Sequence, residues 1–234
     1  MIDRSAYEQA GFAIVPDVLT ADDVGSLIVA HDALAAAQPS ERQAGIRNLL
    51  RELPTVAATA RSPAVARLVT ALLGAGAFPV RALFFDKTPG ANWKVPWHQD
   101  LAIAVCGRVD TAGFTGWSVK DGVPHVHPPA AILARMVTVR LHLDECGTEN
   151  GPLRVLPGSH RHGRLDQEAI TRWRSDVPET VCTVSRGGAL VMSPLLLHAS
   201  SAATHPAHRR VLHLEYAADP LPGLLRWANG PDGK

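Results

Sequence analysis

The sequence predicts a mainly β domain with flanking helices. Helix-type apolar spacing with cap signals marks a mainly helical leader over residues 1–78, and short strand-forming segments separated by turn signals fill residues 79–217. No repeat, low-complexity tract or interdomain linker separates the two regions. At 234 residues, with 46% hydrophobic and 19% charged side chains, the chain can bury one sizeable core, so residues 1–234 are read as a single domain. Several short strands after such a leader suggest a closed or two-sheet β architecture.

Along the chain, Gly11 to Pro16 reads as a short strand feeding a turn. Thr20-Ala-Asp-Asp23 is a capping-box variant, with Asp where Glu or Gln is usual, and it opens a helix whose apolar residues are Val24, Leu27, Ile28 and Leu34. Ser62-Pro63 is an N-cap followed by proline at the first helical position, and Gly74 supplies the stop. The strand Ala82 to Lys87 ends at a Pro89-Gly90 turn. From Met136 to Asp144 the chain alternates, with Val137, Val139, Leu141 and Leu143 on one face and Thr138, Arg140, His142 and Asp144 on the other. Leu153 to Leu156 is closed by Pro157-Gly158, and Gln167 to Trp173 is a short helix. Ala189 to Met192, Leu195 to Ala199 and Arg209 to Tyr216 complete the strands. The stretch from Val105 to Arg135 is rich in Gly and Pro and reads as the longest irregular segment. A lid-like insertion walling a substrate site is the preferred reading, against a mobile surface excursion.

Composition narrows the partners. A formal net charge of +1 gives no electrostatic footprint for nucleic acid, and no apolar stretch reaches membrane-spanning length. Cys106, Cys146 and Cys182 are too scattered for a disulfide framework or a zinc motif, and the N-terminus shows no apolar signal core behind a basic start. A reducing cytoplasm fits these features.

The chemistry gathers in a few residues. His98 and Asp100 are two apart, so on an extended strand they share a face. His198 follows 100 residues later, and Arg209 lies 11 residues beyond it. Two imidazoles and one carboxylate occupy one face of an octahedral ferrous ion and leave the opposite face open for a co-substrate and O2. A guanidinium grips a carboxylate bidentately, so Arg209 suits the far carboxylate of 2-oxoglutarate, while Arg210 faces the other side of its strand. Gln99 points either away from the co-substrate or towards it. Ser200 shares the face of His198, and Lys87 on an incoming strand is a candidate second carboxylate contact. Within the insertion, Phe114, Trp117 and Lys120 are candidate contacts for a small-molecule substrate. Arg140 faces cavity or solvent, and the orientation of His142 and His213 stays open. His125, His127, His205 and His208 read as loop or surface residues. Two rival readings use the same residues: a metalloprotein doing non-oxidative chemistry with zinc, nickel or manganese, and a binding protein without turnover.

Four segments together resemble the phytanoyl-CoA dioxygenase family. They are Glu8-Gln-Ala-Gly-Phe-Ala-Ile-Val-Pro16, Pro96-Trp-His-Gln-Asp100, Asn150-Gly-Pro-Leu-Arg-Val-Leu-Pro-Gly-Ser-His160, and His198-Ala-Ser200 with Arg209-Arg210. The resemblance implies a double-stranded β-helix (jelly-roll, cupin-like) core, Fe(II) held by His98, Asp100 and His198, and 2-oxoglutarate anchored by Arg209, with Gln99 as a further contact. It also implies that the Pro-Gly-Ser-His160 block is a structural turn. With a carboxylate at Asp100, hydroxylation or a desaturation-type outcome is expected over halogenation. The family is broad, so the resemblance does not specify a phytanoyl substrate.

Overall fold

The computed structural model of the protein describes residues 2–37 and 45–231. The helices before Phe78 cover one face of a two-sheet β core. The first helix, α1 (Arg4–Ala10), was not visible in the apolar pattern because Tyr7 is its one buried residue. Local chemistry makes it: the Asp3 carboxylate accepts from Ala6 N at 3.1 Å, and Gly11 closes it in the left-handed region at φ +85°. A Cβ at Gly11 would collide with the His160 ring, so glycine is required there twice over. The same contact places His160 against the N-terminal turn, as the structural reading of its block implied.

Strand β1 (Phe12–Val15) leads into α2 (Ala21–Ala37) through the predicted cap. Thr20 Oγ1 donates to Asp23 Oδ2 at 2.7 Å, and Asp23 N donates back to Thr20 Oγ1 at 3.1 Å. We expect Thr20→Ala to cost about 1 kcal/mol, read as a lower urea midpoint at constant slope; an unmoved midpoint would mean that packing alone starts the helix. The short helices α3 (Leu49–Glu52) and α4 (Pro54–Ala60) follow, then α5 (Pro63–Leu73), capped by Ser62 and stopped at Gly74 as predicted. Among the described residues no single helix is long and apolar enough to cross a membrane.

A five-stranded antiparallel sheet is ordered β1, β10 (Ala189–Met192), β7 (Met136–His142), β12 (Arg209–Ala217), β2 (Phe78–Lys87). Its outer face carries Val137, Val139, Leu141, Leu212, Leu214 and Phe84, which pack on Leu27, Leu49, Val56 and Val65 of the helices. The alternation read from Met136 onward is therefore real, but both faces are buried. The polar face turns inward rather than to solvent. A second sheet, ordered β3 (Val95–His98), β11 (His198–Ser200), β8 (Leu153–Val155), β9 (Thr180–Cys182), packs Leu153, Val155 and Cys182 with Leu190 and Met192 of the first. Two antiparallel sheets closed over an interior give the double-stranded β-helix.

Two readings need correction. Leu195 to Leu197 is a buried turn rather than strand: Leu196 N donates to Ser193 O at 3.0 Å, and Pro194 presets its first corner. Residues 105–135 are not irregular throughout. Strands β5 (Thr115–Lys120) and β6 (Val123–His127) form a hairpin, joined in one sheet to β4 (Ile103–Ala104), and α6 (Ala130–Leu133) follows. Asp121 and Gly122 both take positive φ, 47° and 77°, the two-residue turn whose twist suits a hairpin. That Asp-Gly signal was present in the sequence but lost among the surrounding glycines and prolines.

Candidate metal centre and anion pocket

Strands β3 and β11 pair so that His98 lies directly opposite His198, with ring centroids 4.2 Å apart. The expectation that His98 and Asp100 share a strand face needs a small change, because β3 ends at His98. Asp100 is carried in by the next two residues and fixed by its N–H, which donates to Pro194 O at 2.9 Å. The carboxylate then sits 3.8 Å from Nε2 of both histidines, and the three ligand atoms lie within 4.8 Å of one another.

The second ring nitrogens decide the chemistry. His98 Nδ1 meets Pro96 O at 2.8 Å and His198 Nδ1 meets Leu196 O at 2.9 Å. A carbonyl only accepts, so each Nδ1 bears the proton and each Nε2 presents its lone pair to the centre. Burial pushes the His198 pKa down to about 4, partly offset by Asp100, which leaves the ring neutral at pH 7. Burial alone would raise the Asp100 pKa, but His198, His213, His98 and Arg81 outweigh it and hold the carboxyl well below its usual range. Asp100 Oδ2 is buried without a hydrogen-bond partner. Two imidazoles with Nε2 turned to the centre and an ionised, under-satisfied carboxylate form a donor set that fits a divalent first-row metal.

A pocket of positive charge adjoins this centre. Lys87 on β2 lies directly opposite Arg209 on β12. Lys87 Nζ donates to Ser200 Oγ at 3.1 Å and Ser201 O at 2.6 Å, and Arg209 Nη1 donates to Gly151 O. Burial first, then the Arg209 charge, pushes the Lys87 pKa down to about 8. Burial and Arg209 also push Arg140 down to about 10. Arg209 Nε, Arg140 Nε and both ring nitrogens of His142 are buried with no partner. Buried cations with spare donors call for an anion.

The remaining candidate residues divide. Gln99 does not face the pocket: its Nε2 donates to Gly163 O at 2.8 Å and Leu195 O at 2.7 Å, and its Oε1 accepts from Leu165 N at 2.9 Å. Its amide is saturated by backbone groups, which corrects the co-substrate role. Phe114 is also corrected, since its ring is buried in a cluster with Val105, Val126, Leu133 and Trp227. Trp117 lies half-buried on that cluster beneath Arg108, while Lys120 is exposed near the hairpin tip. His125, expected at the surface, is buried in β6, and Arg140, His142 and His213 face the interior. Sequence reasoning missed His125 because its strand was not recognised. Arg210 leaves on the opposite face, paired with Asp144 at 2.8 Å and Asp32 at 3.3 Å.

The comparisons agree with this architecture. AviO1 from Streptomyces viridochromogenes superposes with a TM-score of 0.69 at 22% identity, covering 95% of this chain and 98% of that one. The crystal structure of EctD from S. alaskensis with 2-oxoglutarate and 5-hydroxyectoine gives 0.71 at 21% identity, covering 92% and 74%. In sequence, the chain is 29% identical to the L-proline trans-4-hydroxylase of Streptomyces griseoviridis and 26% identical to the ectoine dioxygenase of Sphingopyxis alaskensis, over 67% of its own length in each case. It spans 60% and 48% of the lengths of those two relatives. The family model described as phytanoyl-CoA dioxygenase (PhyH) matches residues 7–211, a span that takes in His98, Asp100, His198 and Arg209, and the chain belongs to that family.

Proposed function

We propose that the protein is an Fe(II)- and 2-oxoglutarate-dependent dioxygenase that hydroxylates a C–H bond of a small organic molecule. The observation that carries this is the adjacency of the two-histidine, one-carboxylate centre to a buried cationic pocket with unpartnered donors. Hydrolysis or isomerisation at another divalent metal would have no use for a buried dicarboxylate anchor. Two relatives are named for reactions on proline and on ectoine, both small molecules.

When bound, ferrous iron and 2-oxoglutarate supply the oxidising chemistry, with succinate and carbon dioxide as co-products. His98, Asp100 and His198 would hold the metal. Arg209 would grip the far carboxylate of 2-oxoglutarate, and Lys87, held by Ser200, would add a second charge beside it. Burial of these groups keeps water from competing with the anion. An anaerobic titration of Fe(II)-loaded protein with 2-oxoglutarate tests the assignment. A weak visible charge-transfer band is expected, and its absence in properly metallated protein would sink the reading.

Lys87 gives a pH signature. Its pKa of about 8 means that the charge is present below that pH and lost above it. We therefore expect KM for 2-oxoglutarate to rise as pH increases through about 8. Lys87→Met should start with a higher KM and lack the bend; a bend of equal size in the variant would assign the titration elsewhere.

A further inference from the structure

The interior face of the five-stranded sheet continues past the anion pocket into a second set of polar groups. Cross-strand register lines up Lys87 with Arg209 at one end, Leu83 with His213 and Arg140 further along, and Arg81 with Glu215 and Thr138 at the other end. Arg140 Nη1 donates to His213 Nδ1 at 2.8 Å, so His213 carries its proton on Nε2 and donates to Glu215 Oε1 at 3.2 Å. Arg81 Nη2 pairs with the same carboxylate oxygen. The β5–β6 hairpin packs on this end of the sheet: Val126 shares a buried cluster with Val80 and Met136, and Asp121 at its tip pairs with Arg47. The hairpin brings His125, 2% exposed, with Nδ1 on Val123 O at 2.9 Å and Nε2 buried without a partner. Arg81 Nε and Thr138 Oγ1 are also buried and unpartnered. The hairpin register sets Ser118 opposite His125, so Lys120, two residues further on, shares the face of His125.

Charge balance gives this set a purpose. The interior holds four buried or nearly buried cations, Arg81, Lys87, Arg140 and Arg209, against the carboxylates of Asp100 and Glu215, with the Asp86 carboxylate also acting on Arg209. A ferrous ion and a 2-oxoglutarate dianion would cancel one another, so one positive charge stays uncompensated, and Lys120 adds another at the rim. Uncompensated buried charge is costly and is normally met by a counter-ion.

We infer that the substrate is a small carboxylic acid whose carboxylate docks on Arg81 and Lys120, with a neighbouring N–H or O–H donating to His125 Nε2. The inference rests on the dioxygenase reading and assigns the substrate class of that same centre. Glu215 and His213 act as positioning residues that hold the Arg81 guanidinium. In this arrangement the hairpin is the wall that recognises the substrate, through Lys120 and His125 rather than through Phe114.

The test uses protein loaded with Fe(II) and saturated with 2-oxoglutarate under anaerobic conditions, which blocks the Arg209 pocket. Matched pairs of small acids and their primary amides, such as L-proline and L-prolinamide, are compared by ligand-observed NMR. Acids are expected to bind at least about tenfold more tightly than their amides, the scale of one charged hydrogen bond. Arg81→Gln and Lys120→Gln should each remove most of that advantage while leaving the 2-oxoglutarate band intact. Lys120 is exposed, so its variant keeps the fold even if the Arg81 variant does not. Amides binding as well as acids, an advantage surviving in Lys120→Gln, or no acid binding to protein that shows the band would each overturn the inference. Absence of the band would overturn the co-substrate reading instead, and loss or survival of the acid preference in Lys120→Gln, which lies outside the Arg209 pocket, would still decide this one.

Discussion

Replacing His198 with alanine is expected to lower 2-oxoglutarate turnover at least about 10³-fold and to strip iron from the purified protein, since even losing an outer partner of a ligand costs about 10–100-fold. His198 is buried, neutral and aimed by its Nδ1 hydrogen bond, so no nearby side chain can swing in to replace it. Asp100 and His98 would remain, but two donors cannot define one face of an octahedron. Iron content and turnover should fall together, and added imidazole should restore part of both. Iron retained with full turnover would remove the three-residue centre from consideration.

The second large effect belongs to Arg209. Arg209→Met removes a bidentate partner from a buried anion, and two charge-assisted hydrogen bonds translate into a rise of about 10²-fold or more in KM for 2-oxoglutarate. Iron binding should be untouched, because Arg209 contacts Gly151 and the anion pocket rather than the ligands. Arg209→Lys should recover little, as an ammonium cannot reproduce the planar fork. Arg210→Met is the control: its guanidinium belongs to Asp144 and Asp32 on the outer face, so KM should not move. Equal effects at the two arginines would mean that general charge, not this pocket, governs affinity.

The candidate metal residues, which the structure brings together, were legible because their chemistry is local and periodic. His98 and Asp100 lie within one tripeptide, and His198 ends an apolar run that had to be buried. Strand alternation allowed only one of Arg209 and Arg210 to face the interior and the spacing from His198 favoured Arg209; the structure places the two on opposite faces. The Thr20 and Ser62 caps were legible for the same reason, since each is a hydrogen bond between residues three apart.

What escaped the sequence depends on long-range company. Helix α1 is held by a cap and a glycine, with too little apolar surface to show a period. The leucines from Leu195 to Leu197 have strand composition but sit in a turn set by Ser193 and Pro194. His125 looked like a loop residue until the hairpin placed it in a strand and buried it. Gln99 was the hardest to read, because its three partners lie 64, 66 and 96 residues away.

Those three partners give Gln99 a mechanical consequence. It stands between the two neighbouring ligands, and one of its bonds reaches Leu195 in the turn that delivers the third, while the others reach the loop at residues 163–165. Segments distant in the chain are thereby riveted into one block, with Asp100 N on Pro194 O as a second rivet. The spacing of the donors is a property of the resting fold, and an arriving ion has little left to rearrange. Loading and stripping of the ion should then leave the rest of the molecule nearly still, so an iron-free pool can wait in the folded state and be switched on by supply alone.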